Sequence, residues 1–189
     1  MPLHKSAITE FETLCRKTSE IHAKWKMYRH LFADYPEHFE LFNTIDPGYF
    51  VVVEHLFLEH FCMFICRMGD PSSQNGNRNL TLETLAQLAV KEEPSSGAAL
   101  SIKLDHYRSS IQTFRDLRNK IYGHPDYDRS LRTKLTLYSR SDMETALSSL
   151  REFMNEFRAV FGMSTMLYNQ VITVSNGEGL ITALKSKLS

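Results

Sequence analysis

The residues best suited to chemistry lie in one short stretch, where Arg118, Asn119 and His124 fall within a single motif. Arginine stays positively charged and offers a planar fork of N–H donors to an anion. Histidine exchanges a proton near neutral pH, and asparagine can orient a neighbouring group by hydrogen bonding. The three residues are therefore catalytic candidates for acid–base chemistry on a group that develops negative charge.

The helix that must position this motif precedes it. Apolar residues recur there at steps of three and four and predict a helix over residues 98–122, with Leu100, Leu104, Tyr107, Ile111, Phe114 and Ile121 on one face. Arg118 lies on the same face, four residues after Phe114. A guanidinium at that position must reach solvent, pair with a carboxylate, or face a cleft that receives an anion.

Gly123 and Pro125 predict that this helix ends just before His124. On an uninterrupted helix Arg118 and His124 would project about 120° apart. A break at Gly123 would let His124 fold back toward Arg118 or toward the equivalent arginine of a partner subunit. The alternative is structural, because arginine and histidine in a last turn also complement the helix dipole and cap the terminal carbonyls.

Two segments together resemble the HEPN superfamily. Arg118–His124 is similar to its Arg-x(4–6)-His motif, in which the residue after the arginine is commonly polar. The apolar run VVVEHLFLEHFCMFICRMGD, a polar loop and NLTLETLAQL resemble the abortive-infection branch, the AbiU group, so the resemblance covers most of residues 45–160. Tyr127 lies one place later than in the His-x-Tyr pattern of HEPN proteins paired with nucleotidyltransferases.

This resemblance implies a metal-independent endoribonuclease that acts as a toxin or phage-defence component, without a cofactor. Attack of a ribose 2′-OH on the adjacent phosphate would use His124 for proton transfer and Arg118 for the charge on the phosphoryl oxygens. Each motif supplies one histidine, whereas cleavage needs both a proton acceptor and a proton donor. We therefore expect a homodimer with the site at the interface, and a neutralising antitoxin protein is a further candidate partner.

The expected RNA-binding residues follow the motif and are basic or aromatic: Lys120, Tyr127, Arg129 and Arg132, extended by Lys134, Tyr138 and Arg140. Lysine plus arginine equals aspartate plus glutamate at 22 each, so no basic field covers the whole protein. Any contact with RNA must therefore be local.

Length and composition favour one domain over residues 1–189, since 189 residues with 42% hydrophobic side chains can form one sizeable core. The pattern predicts an all-α, HEPN-like bundle of five to seven helices. Its elements are helices over residues 4–32, 47–69, 81–91, 98–122 and 177–189 and a helix opened by a capping box at Ser141–Glu144; residues 163–176 give no clear pattern.

Residues 47–69 are expected to form the most buried helix. The stretch is apolar enough to raise the question of a membrane span, but Glu54, His55, Glu59 and His60 near its middle favour a buried helix and no membrane. The chain has three cysteines, an odd number, and Cys62 and Cys66 lie one turn apart. These features predict buried free thiols and a cytoplasmic location. No signal peptide is predicted.

Two other functions remain as alternatives. The first is a noncatalytic HEPN-like helical dimer that binds nucleotide, RNA or a protein partner, because fold does not fix function. The second is a metal hydrolase that uses His55 and Glu59, but no set of three ligands at recognised spacing accompanies them, so no metal site is predicted.

Overall fold

The fold is almost entirely helical in a computed structural model that describes residues 5–123, 138–170 and 175–188. Eight α-helices and two π-helical segments, π1 and π2, occur in these residues. In chain order the elements are α1 (Lys5–Tyr28), π1 (Arg29–Ala33), α2 (Pro36–Ile45), α3 (Pro47–Gly69), β1 (Ser73–Gln74), β2 (Asn77–Arg78), α4 (Leu82–Glu92), α5 (Pro94–Ser110), α6 (Gln112–Leu117), π2 (Arg118–Gly123), α7 (Arg140–Val160) and α8 (Glu178–Leu188).

The all-α prediction is confirmed. The described residues contain one helix more than the predicted five to seven, because α2 was not among the predicted helices and the helix predicted over 98–122 is divided. It begins earlier, at Pro94, and α5 stops at Ser110; Ile111 then leaves the α-helical region with φ −104° and ψ 13°. After Ile111 the chain continues as α6 and π2.

The chain groups into two compact units, whose boundaries fall inside α1 and α3. The first consists of Met1–Thr18 and Cys62–Leu167, and the second of Ser19–Phe61 and Tyr168–Ser189. The single-domain organisation over 1–189 stays a prediction.

The core of the first unit forms where α5 packs against both α4 and α7. Apolar residues from these helices and α6 are fully buried, among them Leu85, Leu100, Tyr107, Phe114, Leu147, Leu150, Phe153 and Phe157. The ring of Phe11 from α1 stacks on that of Phe157, with 4.7 Å between the ring centroids. This core fixes α5 and α6, and therefore the start of the motif.

The first turn of α7 corrects one sequence prediction. The capping box lies at Ser139 and Asp142 rather than at Ser141 and Glu144: the Asp142 carboxylate accepts from the Ser139 backbone N–H at 2.7 Å, and the Asp142 N–H donates to Ser139 Oγ at 3.1 Å. The two serines give similar sequence patterns. A cap at Ser139 starts the helix at Arg140 and satisfies two backbone N–H groups.

The second unit has its own apolar cluster, which joins residues of π1, α2, α3 and α8: Leu31, Leu41, Phe42, Phe50 and Ile181. Phe42 and Phe50 stack with 3.9 Å between their centroids. The Tyr49 N–H donates to Asp46 Oδ1 at 3.0 Å, so Asp46 caps α3 as its sequence predicts, with Pro47 in the first turn.

Helix α3 has the predicted limits, but it is not the most buried helix. Tyr49, Val52 and Leu56 are 61%, 58% and 61% exposed, and they share one face because they are spaced at i, i+3 and i+7. Only 33% of its most apolar window is buried, and by length and composition alone α3 could cross a membrane. The absence of a membrane partner stays a prediction.

A pair of substitutions on α5 tests this packing. Leu100 is 0% exposed and Ile102, two residues later, is 71% exposed. Leu100→Ala should lower the free energy of unfolding by about 2–5 kcal/mol because it leaves a cavity, while Ile102→Ala should change it by no more than about 0.5 kcal/mol. Urea unfolding followed by circular dichroism measures both, and equal losses would contradict the described packing of α5.

Candidate functional site

The site is built around an ion pair between Arg118 and Asp70. Arg118 begins π2, and Asp70 follows the last residue of α3. Arg118 Nη1 lies 2.8 Å from Asp70 Oδ1 and 2.9 Å from Oδ2. Of the three alternatives open to a guanidinium on this apolar face, the structure shows pairing with a carboxylate.

Helical spacing explains how the two side chains meet. Cys62, Cys66 and Asp70 follow one another at intervals of four along α3 and its C-terminal end, and Phe114 and Arg118 have the same interval on the motif segment. Cys62 Sγ donates to the Phe114 carbonyl at 3.3 Å, two turns before Asp70 on α3 and one turn before Arg118 on the motif segment. The two rows of side chains therefore face each other where Arg118 meets Asp70.

The ion pair is only partly enclosed, since the Arg118 and Asp70 side chains are 23% and 22% exposed. Arg118 Nε donates to Asn119 Oδ1 at 3.3 Å. Within the described residues the Arg118 Nη2 has no hydrogen-bond partner. Partial burial disfavours the charge, but the hydrogen bond and charge of Asp70, with the nearby thiols, outweigh burial and raise the pKa of Arg118.

The backbone changes from α-helical to π-helical after Arg118. Arg118 itself has α-helical dihedral angles, with φ −53° and ψ −50°, and its N–H donates to the Phe114 and Arg115 carbonyls. It begins π2, which continues to Gly123. Hydrogen bonds from i to i+5 widen a helical turn, and such segments occur often at functional sites.

Two further arginines bind the end of α3. Arg108 Nε and Arg115 Nη2 donate to the Gly69 carbonyl at 3.1 and 2.9 Å. Cations at a helix C-terminus are favourable because the carbonyl dipoles point there. A Cβ on Gly69 would lie 2.7 Å from Ile111 Cδ1, so glycine permits this close approach of α5 and α6 to the end of α3.

Both α3 thiols are buried, as predicted, and the cysteines are free. The hydrogen bond from Cys62 lowers the pKa of Cys66; burial opposes that change, and the charges of Arg118 and Arg115 favour it. The pKa of Cys62 is raised by its hydrogen bond with Cys66 and by burial.

The structure describes only part of the predicted site. Asn119 and Lys120 lie beside Arg118 and are exposed. His124, Tyr127, Arg129 and Arg132 lie outside the described residues. One extension of the predicted RNA-binding surface is wrong: Tyr138 is 7% exposed, and its ring packs on Phe114 with 4.5 Å between centroids.

Sequence reasoning missed Asp70. Its signal was the interval of four from Cys62 and Cys66, which places a carboxylate on the α3 row that meets the motif. The metal alternative gains no support, since His55 and Glu59 are exposed and the described ranges contain no group of three histidine, cysteine or acidic residues able to hold a metal ion.

Comparison with models of protein families identifies a family for this chain. The family model HEPN_AbiU2, described as AbiU2, matches residues 5–171. The match spans nearly the whole chain and includes both rows of side chains that meet at the ion pair. No curated protein and no solved structure matches the chain.

Glu83 offers a test of the network at the end of α3. Its carboxylate accepts from the Ser72 N–H at 2.6 Å and from Arg108 Nη2 at 2.9 Å. These contacts lower the pKa of Glu83, and the hydrogen bond from the Ser72 backbone N–H has the largest effect. A carboxylate with a lower pKa in the folded state stabilises the fold above its unfolded pKa of about 4.3, and the contribution is lost as pH falls through the folded value.

Glu83→Gln should therefore reduce the free energy of unfolding at pH 7 by roughly 1–2 kcal/mol, and the difference from the wild type should shrink below about pH 4. Urea unfolding between pH 3 and pH 7 measures this difference. Glu152→Gln is the control, since Glu152 is 46% exposed and pairs with Lys103 at the surface. A Glu83→Gln difference that is the same at pH 3 and pH 7 would contradict the assignment.

Proposed function

Because the chain belongs to the HEPN AbiU2 family, we propose that it is a HEPN-type endoribonuclease that acts in abortive infection. The observation that supports this proposal best is the Arg118–Asp70 pair at the start of π2, which holds a partly exposed arginine six residues before His124 in the sequence. The family match supports a HEPN-type function, and the arginine geometry supports chemistry on a phosphate.

In the proposed reaction the ribose 2′-OH attacks the adjacent phosphate and forms a cyclic phosphate, while the 5′-oxygen of the next nucleotide leaves. His124 takes part in proton transfer, since its imidazole is the group of the motif that titrates near neutral pH. The Arg118 guanidinium donates to the phosphoryl oxygens as their charge grows. Because the nucleophile belongs to the substrate, the reaction needs no metal-bound water.

Asp70 acts in this scheme as a positioning residue. It contacts Arg118 and not the RNA, and it orients the guanidinium through Nη1 so that Nη2 and part of the fork remain for the phosphate. The Asn119 side-chain oxygen accepts a hydrogen bond from Nε of the same arginine. Lys120, Tyr127, Arg129 and Arg132 would contact the RNA backbone and bases on either side of the cut.

The active form in this proposal is a homodimer. One histidine must accept a proton while another group protonates the leaving oxygen, and a second copy of the motif supplies that group.

A second candidate is the noncatalytic binding module. The same ion pair favours it, because Asp70 neutralises part of the charge that Arg118 would offer to a phosphate. An arginine held for structural reasons would make the same contact. Cleavage assays separate the two functions.

The first assay uses mixed single-stranded RNA and the full chain. His124→Ala should reduce cleavage by roughly 10²- to 10⁴-fold through loss of proton transfer, and Arg118→Lys by roughly 10²-fold or more because an ammonium lacks the planar fork. Asp70→Asn should lower kcat more than it raises KM, since it frees the arginine to move. Asp116→Asn is its matched control, as Asp116 is exposed and contacts Gln112.

The same assay tests the chemistry. Cleavage should persist in EDTA, leave a cyclic phosphate, and stop when the scissile nucleotide carries a 2′-deoxy sugar. Loss of cleavage in EDTA with recovery in Mg²⁺, or full activity in His124→Ala, would reject the mechanism. Binding of RNA with no cleavage in the wild type would establish the noncatalytic module.

The dimer has a separate test. Light scattering should give twice the 21.9 kDa mass of one chain. An equal mixture of wild-type and His124→Ala chains, exchanged to equilibrium, should have about a quarter of the wild-type specific activity per total protein, since only wild-type pairs would have both histidines. A specific activity of about half the wild-type value, or a monomer that still cleaves, would exclude a shared site.

A further inference from the structure

A polar hairpin extends directly from the site residue Asp70. Strands β1 and β2 pair in antiparallel fashion, and Asn75 and Gly76 join them with φ of 50° and 80°. Two residues with positive φ form the tight turn favoured in hairpins, which glycine permits without strain. The exposed residues include the amides of Gln74, Asn75 and Asn77 and the guanidinium of Arg78, whose side chain is 83% exposed.

The base of the hairpin is held from two sides. On the α4 side, the Ser72 N–H donates to Glu83 at 2.6 Å, Ser72 Oγ donates to Gln87 Oε1 at 3.1 Å, and Thr84 Oγ1 donates to the Asn79 carbonyl at 2.6 Å. On the other side lies Asp70 with its arginine. A protruding polar segment is thus held at both ends by hydrogen bonds that leave its tip in solvent.

A cavity of about 430 Å³ lies beside the hairpin, within the first unit. Its lining includes two cations, two carboxylates, one amide and one leucine: Arg78, Lys91, Glu10, Glu92, Gln87 and Leu88. The opposite charges balance, and Arg78 lies 3.7 Å from Glu10. This lining suits an uncharged group with hydrogen-bonding edges and an apolar face better than it suits a phosphate.

Gln87 connects the cavity to the catalytic residues. Its Oε1 accepts from Ser72, so its NH₂ is the group that remains for a ligand. Ser72 follows Asp70 by two residues, and chain geometry limits the distance from Gln87 to the Arg118 guanidinium to roughly 20 Å. One RNA strand can therefore contact both places.

We propose that the hairpin and this cavity bind a nucleobase of the RNA near the scissile phosphate and set the sequence preference of cleavage. This inference rests on the proposed function for its substrate. Amide and guanidinium groups recognise base edges by paired hydrogen bonds, and single-stranded RNA presents unstacked bases to such groups. The volume of about 430 Å³ lies within the range of small-ligand sites and leaves room for a base.

The test measures binding separately from cleavage. The cleavage-blocked His124→Ala chain is used to select preferred sequences from random single-stranded RNA, and fluorescence anisotropy then compares RNAs that differ at one base. One preferred base should bind roughly 5- to 150-fold more tightly than the others. Adding Gln87→Ala or Arg78→Ala should bring this ratio close to one, with less change in the affinity for the poorest RNA.

Lys103→Ala is the matched control, because it removes an exposed cation that pairs with Glu152 elsewhere in the first unit. It should weaken all RNAs alike or not at all. Thermal melts followed by circular dichroism verify that each variant is folded. In proteins that retain His124, the order of cleavage rates over the same RNAs should change in Gln87→Ala and Arg78→Ala only.

The outcomes separate this inference from the proposed function. Cleavage that requires His124 but keeps its base preference in both variants would overturn the role of the hairpin and leave the nuclease intact. Base-selective binding that the variants abolish, without cleavage in the wild type, would support the site and reject the nuclease. Equal binding of all sequences by the His124→Ala chain would overturn the inference.

Discussion

The arrangement of the site depends on one ion pair at the end of a helix. Arg118 lies on a helix face that is otherwise apolar, and an unpaired guanidinium there would be costly. Asp70 supplies the opposite charge, while Arg108 and Arg115 bind the adjacent carbonyl of Gly69. The end of α3 is thus the common anchor of α5, α6, π2 and the hairpin. Both the proposed chemistry and the proposed base recognition depend on this anchor.

Local sequence patterns were sufficient to predict the helix ends that carry strong capping or helix-breaking residues. The cap and proline at Asp46 and Pro47 predicted the start of α3, and Gly69 followed by a polar loop predicted its end. The break at Ile111 had no such signal, since apolar spacing continues through it. Close packing of Ile111 against Gly69 is a tertiary contact, which periodicity within one segment does not contain.

In the candidate site, too, some residues were identified from local sequence patterns and one was missed because it depends on tertiary packing. The residue types and spacing were enough to predict Arg118 and Asn119 as site residues, because a cation on an otherwise apolar helix face must reach solvent, pair with a carboxylate or face an anion. Asp70 is 48 residues away in sequence, and only the packing of α3 on α6 brings it to Arg118. The burial of α3 was overestimated for a related reason: composition measures how apolar a helix is, whereas exposure of Tyr49, Val52 and Leu56 depends on what covers them.

The π-helical turn changes how the number of residues in the motif determines the direction in which each side chain projects. A turn closed by i to i+5 bonds contains one residue more than an α-helical turn. Loss of a single residue within π2 would let the backbone close as an α-turn, keep its hydrogen bonds, and rotate every later side chain relative to Arg118.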